Sequence, residues 1–152
     1  MRDFRFWELA LNPALIASLG AMASSQAFKT LKPLAAGRAP DLRKFVDYGG
    51  WPSSHTAFIA ACAASIGILE GFRSSAFALA GVLASMLIYD ILKMRRVVDL
   101  DGREIDRLLG MARLERGEKP PQFRGHSPGE VVAGIVWGCA WAAGTCALWP
   151  SL

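Results

Sequence analysis

Four long apolar blocks, separated by charged stretches, constrain this chain more than any other feature. Residues 6–28, 56–72, 75–92 and 127–149 each approach the roughly 20 apolar residues needed to cross a hydrocarbon core of about 30 Å. From Ala76 to Leu92 the only charge is Asp90. Between the blocks the sequence turns basic, and residues 93–125 alone carry nine of the seventeen Lys and Arg. With 53% hydrophobic residues in a chain of 152, a soluble domain could hardly hide so much apolar surface, because small domains have a high surface-to-volume ratio. The pattern predicts an all-α, polytopic membrane helix bundle. About four transmembrane helices form a single domain over residues 1–152. The first block carries Asn12 and Pro13 and ends in Gln26 and Lys29, running past the length of a leader, so it reads as a membrane helix.

The second helix is expected to start at Pro52, a residue favoured in the first helical turn, and to end near Gly71. A turn at 72–75 leads into the third helix. Within the long basic connection, Ile105, Leu108, Leu109 and Ala112 recur at helical spacing among Arg103, Arg107, Arg113 and Arg116. This predicts either a short helix lying in the membrane interface or a solvated amphipathic turn. Phe4, Phe6, Trp7 and Trp149 suit aromatic belts. Four crossings put the termini and the 72–75 turn on one side, with Arg2, Arg5 and Arg73. The other fourteen cations fall on the opposite side, which the positive-inside rule makes cytoplasmic. Lys29, the Pro52–His55 turn, Asp90 with Arg95 and Arg96, and His126 then share one membrane face.

Cys62, Cys139 and Cys146 lie inside apolar segments with no CxxC pair. They read as small polarizable packing residues. No metal site and no cofactor is expected.

The chain has two histidines, and both stand at predicted helix starts. His126 is followed by Glu130 one turn along, and i,i+4 residues share a helical face. A carboxylate there can fix the imidazole tautomer and stabilise imidazolium, leaving Nε2 to face a substrate. The same spacing also describes a plain helix-surface pair. His55 follows Gly49-Gly50-Trp51-Pro52-Ser53-Ser54. Free N–H groups and hydroxyls at a helix N-terminus can bind an anion, and Ser53 or Ser54 can equally serve as an N-cap. Lys29, Arg95 and Arg96 supply cations for a phosphate ester. Asp90 is expected to pair with Lys93, Arg95 or Arg96 as an orienting group. Gly134 and Gly138 continue the His126/Glu130 ladder as a close-packing face, and Gly67 and Gly71 offer a similar contact.

The segments Gly49–Ala57, Tyr89-Asp90 with Arg95-Arg96, and Gly125–Val131 together resemble the divergent branch of the phosphatidic acid phosphatase type 2 superfamily. That superfamily also includes bacterial acid phosphatases and vanadium haloperoxidases. The resemblance implies metal-independent phosphohydrolysis through a phosphohistidine. His126 would be the nucleophile, Glu130 its orienter in place of the usual Asp, and His55 the acid for the leaving group. Ser53, the Ser54 N–H, Lys29 and Arg95 or Arg96 would hold the phosphoryl oxygens. This sequence departs from the wider pattern at Ser54, where Gly is usual, and in the spacing of its cations. Arg95, Arg96 or Arg124 must stand for the Arg normally found just before the nucleophile.

The resulting expectation is a membrane lipid-phosphate phosphatase acting on a phosphomonoester such as phosphatidylglycerophosphate or phosphatidic acid. Its site would face the cytoplasm from a bacterial inner membrane. Its partners are membrane lipids and the lipid phosphate, not nucleic acid, and four helices are few enough to favour a homodimer. The competing readings are a prenyl diphosphate phosphatase, a metal-dependent phosphatase using Asp90 and Glu130, and a non-enzymatic relative that keeps the motifs only to stabilise helix ends.

Overall fold

The structure is a computed structural model describing residues 11–41, 50–112 and 126–149, with residues 94–96 described through their backbone only. Four α-helices account for most of it: α1 (Pro13–Leu31), α2 (Ser54–Glu70), α3 (Ser75–Met111) and α4 (Pro128–Leu148), with a 3-10 turn at Lys32–Ala36 after α1. No strand occurs among the described residues, and the bundle is the all-α membrane architecture expected. α3 and α4 are long and apolar enough to cross a bilayer. α1 and α2 have 19 and 17 residues, about 28 and 25 Å of helix.

Local chemistry sets each helix start. Asn12 caps α1, its Oδ1 accepting from the Ala14 and Leu15 N–H groups at 3.0 and 3.1 Å. Pro13 takes the first helical position, where a missing N–H costs nothing. Ser74 caps α3 through the Phe77 N–H at 3.1 Å. At α4, Ser127 and Glu130 form a capping box, which satisfies two first-turn donors reciprocally.

α2 is the central helix and packs against α1, α3 and α4. The contacts run along ladders of small residues. Ala17, Ala21 and Ser25 on α1, Ala57, Ala61 and Ser65 on α2, and Gly134, Gly138 and Ala142 on α4 are all buried. Each set recurs every four residues, one face of a helix. Small side chains let backbones approach closely, the means by which helices associate in lipid without a hydrophobic drive. A Cβ at Gly138 would stand 2.3 Å from the Ala57 carbonyl oxygen, and one at Gly134 would stand 2.6 Å from that of Ser53. The close-packing face expected on α4 is therefore the α2–α4 seam. Large side chains such as Leu79, Val82, Met86 and Val136 point outward, as they do when the surroundings are hydrocarbon.

Two boundaries and one packing contact differ from the sequence reading. α2 begins at Ser54, with Ser53 as its cap, and Pro52 precedes the helix instead of opening it. A Cβ at Gly71 would meet nothing within 4 Å, so it is no close-packing position; it ends α2, as expected, with φ 90°, a conformation that favours glycine. Gly67 does pack closely, against the Phe72 and Phe77 rings. The largest difference is α3, which continues without a break to Met111, 37 residues or about 55 Å. No separate interfacial helix exists between 105 and 112. Leu100, Arg103, Glu104, Arg107, Leu108 and Leu109 favour helix there, and the pairs Asp99–Arg103 and Glu104–Arg107 lie at i,i+4 and i,i+3 spacings that support a helix in water. The onset of charge marks where α3 leaves the apolar layer, and the helix itself goes on.

Candidate phosphate site at the helix ends

The C-terminal end of α1 and the N-terminal ends of α2 and α4 meet at one end of the bundle. Lys29 is the last rung of the buried α1 ladder that runs through Ala17, Ala21 and Ser25. Its side chain is therefore directed inward and is only 7% exposed. The ammonium donates to Ser54 Oγ at 2.7 Å in a buried hydrogen bond. Gly50, with φ 89°, lies over the lysine stem. A Cβ there would be 3.2 Å from Lys29 Cδ, so glycine at this turn serves both conformation and fit.

Ser53 and Ser54 are buried and have different tasks. Ser53 Oγ accepts from the Thr56 N–H at 3.4 Å and from the Thr56 hydroxyl at 3.0 Å, which fixes the first turn of α2. The Ser53 N–H donates to the Glu130 carbonyl at 3.0 Å. That backbone bond joins the start of α2 directly to the first turn of α4. Ser54 stands where the wider superfamily has glycine, and its hydroxyl is the acceptor for Lys29. The departure from the family pattern has a structural use.

His126 is buried, 7% exposed, and immediately precedes the Ser127 cap. His55 is exposed in the first turn of α2. The Glu130 carboxylate accepts through Oε2 from the Ser127 N–H at 2.9 Å, and the Glu130 N–H donates to Ser127 Oγ at 3.3 Å. The described bond of this carboxylate is thus to the residue after His126, and Glu130 fixes the backbone on which the imidazole is carried.

Of the residues singled out from sequence, Lys29, Ser53, Ser54, His55, His126 and Glu130 gather at these three helix ends. Asp90 does not join them; it is exposed on α3. Arg95 and Arg96 lie on α3 with side chains outside the described residues, and Arg124 lies outside the described residues altogether. The sequence reading named Gly50 within the turn before His55 but passed over the aromatic cluster beside it. Phe28 on α1 meets Trp51 edge-on at 5.8 Å between centroids and meets Trp137 of α4 at 5.5 Å. Trp137 Nε1 donates to Ser24 Oγ at 2.9 Å. Trp51 had a signal, an aromatic in the Gly-Gly-Trp-Pro turn, but its partners 23 and 86 positions away had none.

Residues 10–141 match the family described as divergent PAP2. The chain belongs to the divergent PAP2 family. It is also similar to the uncharacterized membrane protein YuiD of Bacillus subtilis (strain 168), 28% identical over 145 residues that cover 86% of this chain and 92% of YuiD. No solved structure matches it. Family membership and the two apolar spans make this divergent PAP2 protein a phosphatase-related membrane protein.

Proposed function

We propose that this protein is a lipid-phosphate phosphatase that works through a phosphohistidine. The observation that carries the reading is the buried Lys29 ammonium donating at 2.7 Å to Ser54, in the first turn of α2. A buried cation and a helix N-terminus are both positive. A phosphate dianion held between them is stabilised by both, at a place where low exposure strengthens the attraction. Ser54 would then share the ammonium with a phosphoryl oxygen, and the α2 first-turn N–H groups would take another.

In this reading an imidazole nitrogen of His126 attacks phosphorus, a P–N bond forms and the P–O bond to the lipid breaks. His55 gives its proton to the departing alkoxide. Water then attacks phosphorus, the P–N bond breaks, and His55 recovers a proton from that water. Glu130 stabilises imidazolium by its charge and fixes His126 by its cap. Arg95 or Arg96 would add charge to the equatorial oxygens. The favoured substrate is a phosphomonoester such as phosphatidylglycerophosphate or phosphatidic acid, handled at the cytoplasmic face of a bacterial inner membrane.

The test is phosphate release from purified protein in nanodiscs, with those two lipids and no added metal. A radiolabelled phosphoryl group should be trapped on the wild type and absent from His126→Ala. Full activity in that variant sinks the nucleophile assignment. The capping box at Glu130 favours one other reading, a non-enzymatic relative whose motif residues only hold helix ends. No release from any lipid phosphate, with Glu130→Ala and His126→Ala less stable than wild type, is its expected result.

A further inference from the structure

An apolar groove of about 730 Å³ runs along the outer face of α4, from Trp51 and Ala133 to Leu148. Its residues on α4 recur at three- and four-residue steps, one stripe of the helix. Among them Thr145 alone carries a polar side-chain group apart from the indole N–H groups. The walls are preset from the α1 side. Trp137 is held by its bond to Ser24 and by Phe28. Trp141 fills the space left by Gly20, where a Cβ would stand 2.5 Å from the ring. Ala140 is exposed, and a Cβ at Gly144 would meet nothing within 4 Å, so small residues give the groove its depth. Trp51 forms the upper end and lies two residues before Ser53. Trp51 also packs on Phe28, the residue before Lys29, so this is the end of the groove nearest the Lys29–Ser54 pair.

We propose that this groove holds one hydrocarbon chain of the lipid whose phosphate enters that site. The proposal rests on the lipid-phosphate reading above and adds where the tail lies and how many chains are recognised. From Ala133 to Leu148 the helix rises about 22 Å, against about 15 Å for one leaflet of the hydrocarbon core. Spread over that length, the volume gives a channel of about 30 Å² in section. With carbon contacts near 4 Å, that admits a single chain and not two side by side. A chain filling the groove passes the bilayer midplane, so selection favours long chains, and a second chain of the same lipid stays in the bilayer.

The experiment uses the full chain in phosphatidylcholine nanodiscs, with Trp7 and Trp149 replaced by Phe so that the remaining tryptophans are those beside the groove. His126→Ala is included to prevent turnover. The probes are phosphatidic acid and phosphatidylcholine with brominated chains, added at equal mole fraction, and the readout is quenching of tryptophan emission. Phosphatidic acid should quench more strongly, and the excess should vanish in Lys29→Met and in the groove-filling Gly144→Phe. Circular dichroism checks that the filled variant keeps its helicity, and Ala140→Phe serves as a second filling variant. Equal quenching by the two lipids overturns the proposal, since the groove is then ordinary lipid-facing surface. With catalysis intact, Gly144→Phe should reduce the preference in kcat/KM for palmitoyl over hexanoyl phosphatidic acid about tenfold, the worth of roughly two buried methylenes. Release from both lipids with an unchanged preference overturns the groove and leaves the phosphatase reading standing. Excess quenching without phosphate release from any lipid supports the groove and removes the phosphatase reading instead.

Discussion

Replacing Gly138 by Ala should destabilise the bundle, although alanine is the better helix former. The added Cβ would lie 2.3 Å from the Ala57 carbonyl oxygen, 2.9 Å from the Ala61 nitrogen and 3.0 Å from the Ala60 Cβ. Two of these neighbours are backbone atoms inside α2, which cannot rotate away. Ordinary contact starts at 3.4 Å, so α2 and α4 must separate by about 1 Å locally. Overpacking of this kind costs about 1–3 kcal/mol, and backbone obstruction puts Gly138 at the upper end. The gain in helix propensity, about 1 kcal/mol, offsets part of it. The net expectation is a loss of about 2 kcal/mol, a factor of about 30 in the unfolding equilibrium. Gly144→Ala supplies the control: its Cβ meets nothing within 4 Å, so only the propensity gain remains and stability should hold or rise. Thermal unfolding in detergent followed by circular dichroism measures both. If the two variants unfold at the same temperature, the account of the α2–α4 seam is wrong.

Other expectations follow from the site. His55→Ala should lower turnover of lipid phosphates by about 10²–10⁴-fold and should hardly affect a nitrophenyl phosphate, whose leaving group needs no proton; equal losses on both would deny His55 the acid role. Ser54→Ala removes the acceptor that positions the Lys29 ammonium, so it should lower stability by about 1.5–3 kcal/mol, the worth of a bond to a charged group, and raise KM, and an unchanged KM would show that the Lys29–Ser54 pair is only structural. Glu130→Gln keeps a capping side chain and removes the charge, so it should retain stability and lose activity, whereas Glu130→Ala should lose both; matching activity in Gln and wild type would reduce Glu130 to a cap. Asp99→Asn should leave the unfolding temperature unchanged, since the Asp99–Arg103 pair is solvent-exposed on its Arg side and surface pairs contribute little.

The fold was largely legible because lipid simplifies the code. Apolar length marks helices, and small residues at four-residue spacing mark where they touch; Gly134 and Gly138 signalled a close-packing face on α4, though not that α2 is its partner. What charge could not show was the end of α3. Lys93 ends an apolar block, but helix continuation depends on propensity and side-chain pairing, which persist through residue 111. The site was legible where sequence neighbours also became spatial ones, as around Ser53 and Ser54. Lys29 was legible as a cation at a helix end, whereas its burial, set by the ladder of Ala17, Ala21 and Ser25, was not read. Glu130 was readable as a residue of the site but not in its bonding, since the same Ser-Pro-Gly-Glu spacing serves a cap and an imidazole equally. The Trp51–Phe28–Trp137 cluster joins three segments far apart in sequence, and its hydrophobic composition matched any lipid-facing surface.

The bond from the Ser53 N–H to the Glu130 carbonyl uses no side-chain atom. Residue identity at either position can drift, and the two histidine-bearing segments keep their register, because every amino acid offers that carbonyl and all but one offer that N–H. Proline at position 53 is the exception. Spacing between the two strands of chemistry is thus inherited from the main chain, which leaves the surrounding side chains free to be retuned for a different phosphate ester without the scaffold having to be rebuilt.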